Sequence, residues 1–135
     1  LDAVLSSFFT QMSHGYGMAC DLTSIAEHYV LVADLVDHYR DQLDLNYLAV
    51  RYEDIVADQE AASRQLLGFA GLDWDARCLE FHKHTSGVRT ASYAQVTEKL
   101  YTRSVYRHRH YRKHLEPVLP ILRPVIERMG YTVDA

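Results

Sequence analysis

Apolar residues recur at three- and four-residue steps through most of the chain, which is the mark of amphipathic helices. Val4, Leu5, Phe8 and Phe9 give a short helix from Leu1 to about Met12, ended by Gly15 and Gly17. Thr23 or Ser24 can cap the next helix, and Ser24 with Glu27 has capping-box spacing. Ile25, Tyr29, Val32, Val36, Tyr39 and Leu43 then define one face, opposite Glu27, Asp34, Asp37, His38 and Asp41. This predicts a long amphipathic helix. Asp58 caps a further helix to about Ala70, with Ala62, Leu66 and Phe69 inward and Gly71 as its stop. Asp75 opens a short helix through Cys78, Leu79 and Phe81. Leu115 to Met129 is apolar again, but Pro117, Pro120 and Pro124 punctuate it. Pro117 suits an opening turn, whereas the later two predict a kinked or broken helix.

Two stretches depart from this period. Tyr47 to Tyr52 reads as a short apolar and aromatic run, which suits a strand in a covered parallel sheet. A lone strand cannot satisfy its own backbone groups. Its partners are therefore expected upstream of Leu1, and the absence of an initiator methionine points the same way. From Ser86 to about Thr102 the periodicity dissolves into an irregular segment.

Composition adds little to the fold but something to the chemistry. The 135 residues are 48% hydrophobic and 24% charged, enough for one modest globular domain. No apolar run approaches the roughly 20 residues of a membrane helix, and no signal peptide is visible. A cytoplasmic location without membrane association is expected. The formal net charge of −4 is unevenly spread. Residues 1–70 hold 3 Lys+Arg against 11 Asp+Glu, and residues 71–135 hold 11 against 7. Arg103, Arg107, Arg109, Arg112 and Lys113 crowd into eleven positions, so an anion-facing surface is expected in the second half. Cys20 and Cys78 lack metal or redox spacing. His82 with His84, and His110 with His114, have pairwise ligand spacing but no third ligand, so no metal is expected.

Three blocks carry a family likeness. Val50-Arg51-Tyr52-Glu53-Asp54-Ile55-Val56-Ala57-Asp58 and Leu66 to Trp74 resemble a conserved-order block of the sulfotransferases. Val88-Arg89-Thr90-Ala91-Ser92-Tyr93-Ala94-Gln95-Val96 resembles a second block of the same group, and Leu1 to Phe9 resembles the helix after the family's Arg-Asp-Pro motif. The resemblance is to the bacterial, tetratricopeptide-linked and tyrosylprotein-sulfotransferase-like group, over its C-terminal part.

That resemblance implies an α/β fold: the C-terminal, helix-rich portion of a P-loop-like sulfotransferase domain. Residues 1–135 would supply one or two strands of a parallel sheet and lack the N-terminal strand–loop–helix. It implies sulfuryl transfer from 3′-phosphoadenosine 5′-phosphosulfate to a hydroxyl or amine acceptor. Ser6, Ser92 and Arg107 are the implied contacts of the donor's 3′-phosphate, and Tyr52 lies near the nucleotide. The implied general base lies upstream, so no catalytic residue is assigned here and the isolated chain is expected not to turn over. An upstream tetratricopeptide-repeat region is compatible with the group. The chain also departs from the family pattern: Tyr106 stands where a Gly is usual and His108 where a Trp is usual. Two other readings stay open, a helical interaction module without catalysis and a basic module binding single-stranded nucleic acid. The overall acidity disfavours nucleic acid as a partner.

Overall fold

The computed structural model describes residues 1–10, 21–83 and 98–133. They form α1 (Asp2–Thr10), α2 (Leu22–Gln42), α3 (Tyr52–Ala57), α4 (Gln59–Phe69), α5 (Arg112–Leu115) and α6 (Leu119–Arg128). Three 3₁₀ helices join them: η1 (Ala76–Lys83), η2 (Arg107–Tyr111) and η3 (Glu116–Val118). The chain divides into two compact units, one of residues 1–45 with 106–135 and one of residues 46–105.

The first unit is built around one apolar cluster. Val4 of α1, Ile25 and Ala26 of α2, and Leu115, Val118, Leu122 and Ile126 of the C-terminal helices are buried together. Phe8, Leu22, Tyr29, Val30, Tyr111 and Ile121 close over it. The long helix α2 starts where Asp21 accepts hydrogen bonds from the Ser24 backbone N–H at 2.9 Å and the Ser24 hydroxyl at 2.7 Å. The cap is therefore Asp21 rather than Thr23 or Ser24, and these bonds hold the Asp21 carboxyl below its usual range. The predicted stripe of α2 is buried only at its start. Ile25 lies in the core, but Val32, Val36, Tyr39 and Leu43 are exposed, and Ala33 is buried in their place. The small Ala26 and Ala33 let α2 lie close to its neighbours. Arg128 of α6 then clamps α2 from outside, at 2.8 Å from Asp34 and 2.9 Å from Asp37.

The last apolar stretch is divided into α5, η3 and α6, with the breaks at Pro117 and Pro120 but none at Pro124. Pro117 and Pro120 sit in the first turns of η3 and α6, where a missing N–H leaves no intrahelical bond unmade. Pro124 lies inside α6, yet the helix continues and buries Leu122, Val125 and Ile126. It ends in a Schellman turn: Gly130 takes φ 74° and the Tyr131 N–H reaches the Ile126 carbonyl at 2.9 Å.

The second unit pairs α3 with α4 and packs η1 against α4. Asp58 caps α4 through the Ala61 N–H at 2.9 Å. Gly71 closes it with φ 70°, the Leu72 N–H bonding to the Leu67 carbonyl at 2.9 Å. Arg64 pairs with Glu60 and lays its guanidinium over the Trp74 ring at 4.0 Å. Asp75 accepts from the Arg77 backbone N–H at 2.8 Å and from the Arg77 guanidinium, which lowers its carboxyl to about 2.

The α/β expectation is corrected here. Among the described residues there is no strand, and the Tyr47–Tyr52 run forms none. Residues 44–51 have no regular structure, and Tyr52 opens α3 instead. The physical reason is twofold. A strand exists only by pairing, and no extended segment among the described residues runs beside this one. Nor is the run covered: Tyr47 is 47% exposed and Tyr52 38% exposed, whereas a strand of a covered sheet is buried on both faces.

Two predictions follow from this packing. Leu122 is 1% exposed, so Leu122→Ala is expected to destabilise the first unit by about 2–5 kcal/mol in denaturant unfolding. Leu31→Ala, at a residue 64% exposed, is expected to change stability by less than about 0.5 kcal/mol. The depressed Asp75 carboxyl contributes stability that is present above the ordinary carboxylate range and is lost as pH falls through about 2. An NMR titration should therefore place the Asp75 midpoint near 2, and Arg77→Ala should return it toward about 3.9.

Candidate functional site

The first turn of α1 and the start of η2 are joined by one carboxylate. Asp2 Oδ1 accepts the His108 backbone N–H at 2.7 Å and lies 3.1 Å from His108 Nδ1. A carboxylate at this end of a helix also faces the unpaired N–H groups of the first turn, which favours its charge. His108 is 9% exposed, the buried polar residue of the described core. Its ring meets Tyr106 edge-on, with centroids 6.1 Å apart.

The backbone enters η2 through Tyr106 at φ 55° and ψ 28°, the left-handed region. For a residue with a Cβ this conformation costs roughly 1–2 kcal/mol. It is the conformation that glycine adopts freely. Tyr106 thus follows a glycine's path at the position where the sulfotransferase pattern has glycine. His108 likewise fills a buried place where that pattern has Trp.

Asp2, Ser6 and Phe9 stand at i, i+4 and i+7 along α1, on one face. Arg107, next to His108, lays its guanidinium over the Phe9 ring at 5.1 Å. Phe9 is braced by the edge of Tyr111, at 5.1 Å between centroids. Ser6 and Arg107 are both exposed and belong to the same α1–η2 junction. The Ser6 hydroxyl makes no hydrogen bond among the described residues, while its carbonyl accepts from the Thr10 hydroxyl at 2.8 Å. A guanidinium resting on a ring uses its face, and its in-plane N–H donors stay available to an anion.

Tyr52 lies in the second unit, at the start of α3. Its hydroxyl donates to the Tyr101 carbonyl at 2.9 Å, and burial pushes the phenol above its usual range. Arg103 covers the Tyr101 ring at 3.7 Å and pairs with Glu98 at 2.6 Å. The one proton that Tyr52 could offer a phosphate is therefore engaged within the chain. Ser92 lies outside the described residues. Of the expected site residues, Arg107 meets α1 at Phe9, on the helix face that carries Ser6.

Sequence reasoning missed Phe9, Asp2 and His108. The helical spacing of Asp2, Ser6 and Phe9 was the available signal for the first two. For His108 the signal was its alignment with a usually buried aromatic, which outweighs the general tendency of histidine to lie near the surface. Among the described residues no three His, Cys, Asp or Glu side chains converge as a metal site. No helix of the described residues is long and apolar enough to cross a membrane.

The Sulfotransferase family model matches residues 1–76, which include Ser6 and Tyr52 but not Ser92 or Arg107. An uncharacterized protein of Aquifex aeolicus (strain VF5) is 30% identical over 132 residues. That alignment covers 96% of this chain and 17% of the relative, so the chain spans less than a fifth of that protein's length. No solved structure matches the chain. With more than half of its residues matched by the family model, the chain belongs to the sulfotransferase family.

Proposed function

We propose that this chain forms part of a sulfotransferase using 3′-phosphoadenosine 5′-phosphosulfate, and that Ser6 and Arg107 hold the donor's 3′-phosphate. What supports the reading is the α1–η2 junction, where the exposed Arg107 guanidinium lies over Phe9 of α1, one helical turn along the same face from the exposed Ser6. A ribose phosphate presents several acceptor oxygens and up to two negative charges. A guanidinium fork and a hydroxyl are matched to it in donor geometry and sign. The family resemblance also assigns Ser92 and Tyr52 to the nucleotide. For Tyr52 the fitting role is indirect: its hydroxyl holds the Tyr101 carbonyl, and so the segment that carries Arg103.

In the reaction, the acceptor oxygen or nitrogen forms a bond to sulfur as the bond from sulfur to the donor's phosphate oxygen breaks. The acceptor's proton leaves to a base, and adenosine 3′,5′-bisphosphate is released. Sulfuryl transfer resembles phosphoryl transfer in that the protein supplies chiefly position and charge. The 3′-phosphate lies away from the bond that breaks. Holding it fixes the nucleotide so that the reacting group is aligned, which is a use of remote binding energy. The finer placement proposed is the bacterial, tetratricopeptide-linked and tyrosylprotein-sulfotransferase-like group, on the strength of the Val50–Asp58, Leu66–Trp74 and Val88–Val96 blocks.

Calorimetry with adenosine 3′,5′-bisphosphate and adenosine 5′-monophosphate tests the phosphate assignment. The bisphosphate is expected to bind more tightly. Arg107→Gln should weaken it by about 10- to 100-fold, since hydrogen bonds to charged groups contribute about 1.5–3 kcal/mol. Ser6→Ala should weaken it less, and neither change should alter the monophosphate. Equal affinity for the two nucleotides, or indifference to both substitutions, would refute the assignment.

A further inference from the structure

Phenylalanine is among the residues most often drawn into a core, and Phe8 of α1 packs against the buried cluster. Phe9, the next residue, is 45% exposed. Its ring is nevertheless tied to the core. Tyr111, which packs against the same cluster, meets Phe9 nearly edge-on, at an interplanar angle of 69°. The Arg107 guanidinium lies over the Phe9 ring. A line of contact thus runs from the core through Tyr111 and Phe9 to one cation.

That cation differs from other stacked arginines of the chain. Arg64 lies over Trp74 and also pairs with Glu60, and Arg103 lies over Tyr101 and also pairs with Glu98. Their charge is balanced where they stack. Arg107 has the ring but no carboxylate partner among the described residues. A loose arginine samples many rotamers, and an anion that captures it must bear the cost of ordering it. A ring beneath the guanidinium removes much of that freedom before any anion arrives. It takes up the face of the fork and leaves the in-plane N–H donors to a ligand.

We propose that Phe9 is a positioning residue of the phosphate site, its ring setting the plane of the Arg107 guanidinium before the donor's 3′-phosphate binds. This rests on the assignment of Arg107 to that phosphate. Phe9 acts through Arg107 and touches no part of the nucleotide.

The experiment joins NMR of the Arg107 Nε–H group with calorimetry, both on the whole chain. Without ligand, the heteronuclear NOE of that group should report an ordered side chain, and Phe9→Leu should make it mobile. Phe9→Leu should weaken adenosine 3′,5′-bisphosphate about three- to tenfold, the effect of ordering one long side chain on binding. Phe9→Tyr keeps the ring and should stay within about twofold of the natural chain. Adenosine 5′-monophosphate should bind all three alike, with unchanged circular dichroism. In an Arg107→Gln background, Phe9→Leu should weaken the bisphosphate no further. Equal weakening of both nucleotides would overturn the proposal. So would an additive double variant, or an Arg107 equally ordered without the ring. If Arg107→Gln weakens the bisphosphate and Phe9→Leu does not, this inference alone fails. If Arg107→Gln has no effect, the phosphate assignment fails and the role of Phe9 falls with it.

Discussion

A single carboxylate oxygen joins the two ends of this chain. Asp2 Oδ1 takes the His108 backbone N–H at 2.7 Å, a bond that spans 106 positions in sequence. The apolar core brings α1 near the C-terminal helices, but apolar contact is non-directional and does not by itself set rotation. A short bond from a charged acceptor to a backbone donor does set it. With Asp2 fixed, the helical repeat fixes Ser6 and Phe9 on the same face, and the backbone after Tyr106 fixes Arg107 beside them. The candidate phosphate contacts are therefore consequences of one anchoring bond and two local geometries.

That hierarchy explains which parts could be read in the sequence. Helix positions were legible because three- and four-residue periodicity and Asp and Gly end signals act locally. Asp58 and Gly71 bracket α4 as expected, and Pro117 and Pro120 fall at helix starts. Tertiary choices were not legible. The α2 pattern was read as one apolar face, and the core selected a second one, containing Ala26 and Ala33, because small residues allow closer approach. The other, with Val32, Val36, Tyr39 and Leu43, is left exposed. The Tyr47–Tyr52 run failed as a strand for a related reason: composition indicates what a segment tolerates, whereas pairing depends on a partner elsewhere in space.

The candidate site was legible to the same extent. Ser6 and Arg107 came from family likeness, and their shared junction required coordinates. What supports the junction, Phe9 beneath Arg107 and His108 against Asp2, carried no sequence signal as strong as its structural weight. The departures at positions 106 and 108 looked disruptive on the page. In space Tyr106 takes a left-handed backbone that glycine adopts freely, and His108 is buried. The strain of the first is offset in part by ring contacts to Arg109 and His108 that a glycine could not make.

Those ring contacts also change how the basic cluster is understood. As a string of letters, Arg103 to Lys113 is a block of positive charge, equally suited to a solvated face, a nucleic acid or a phosphate. In the structure three of its arginines rest on aromatic rings: Arg103 on Tyr101, Arg107 on Phe9 and Arg109 on Tyr106. Stacking restrains side chains that would otherwise sample many rotamers, so less entropy remains to be lost when an anion is bound. It also orients each guanidinium edge separately. The cluster therefore acts as individually aimed forks rather than as a diffuse field. That property favours small anions of defined shape over a long polyanion, above all at Arg107 and Arg109, since the Arg103 guanidinium is already engaged by Glu98.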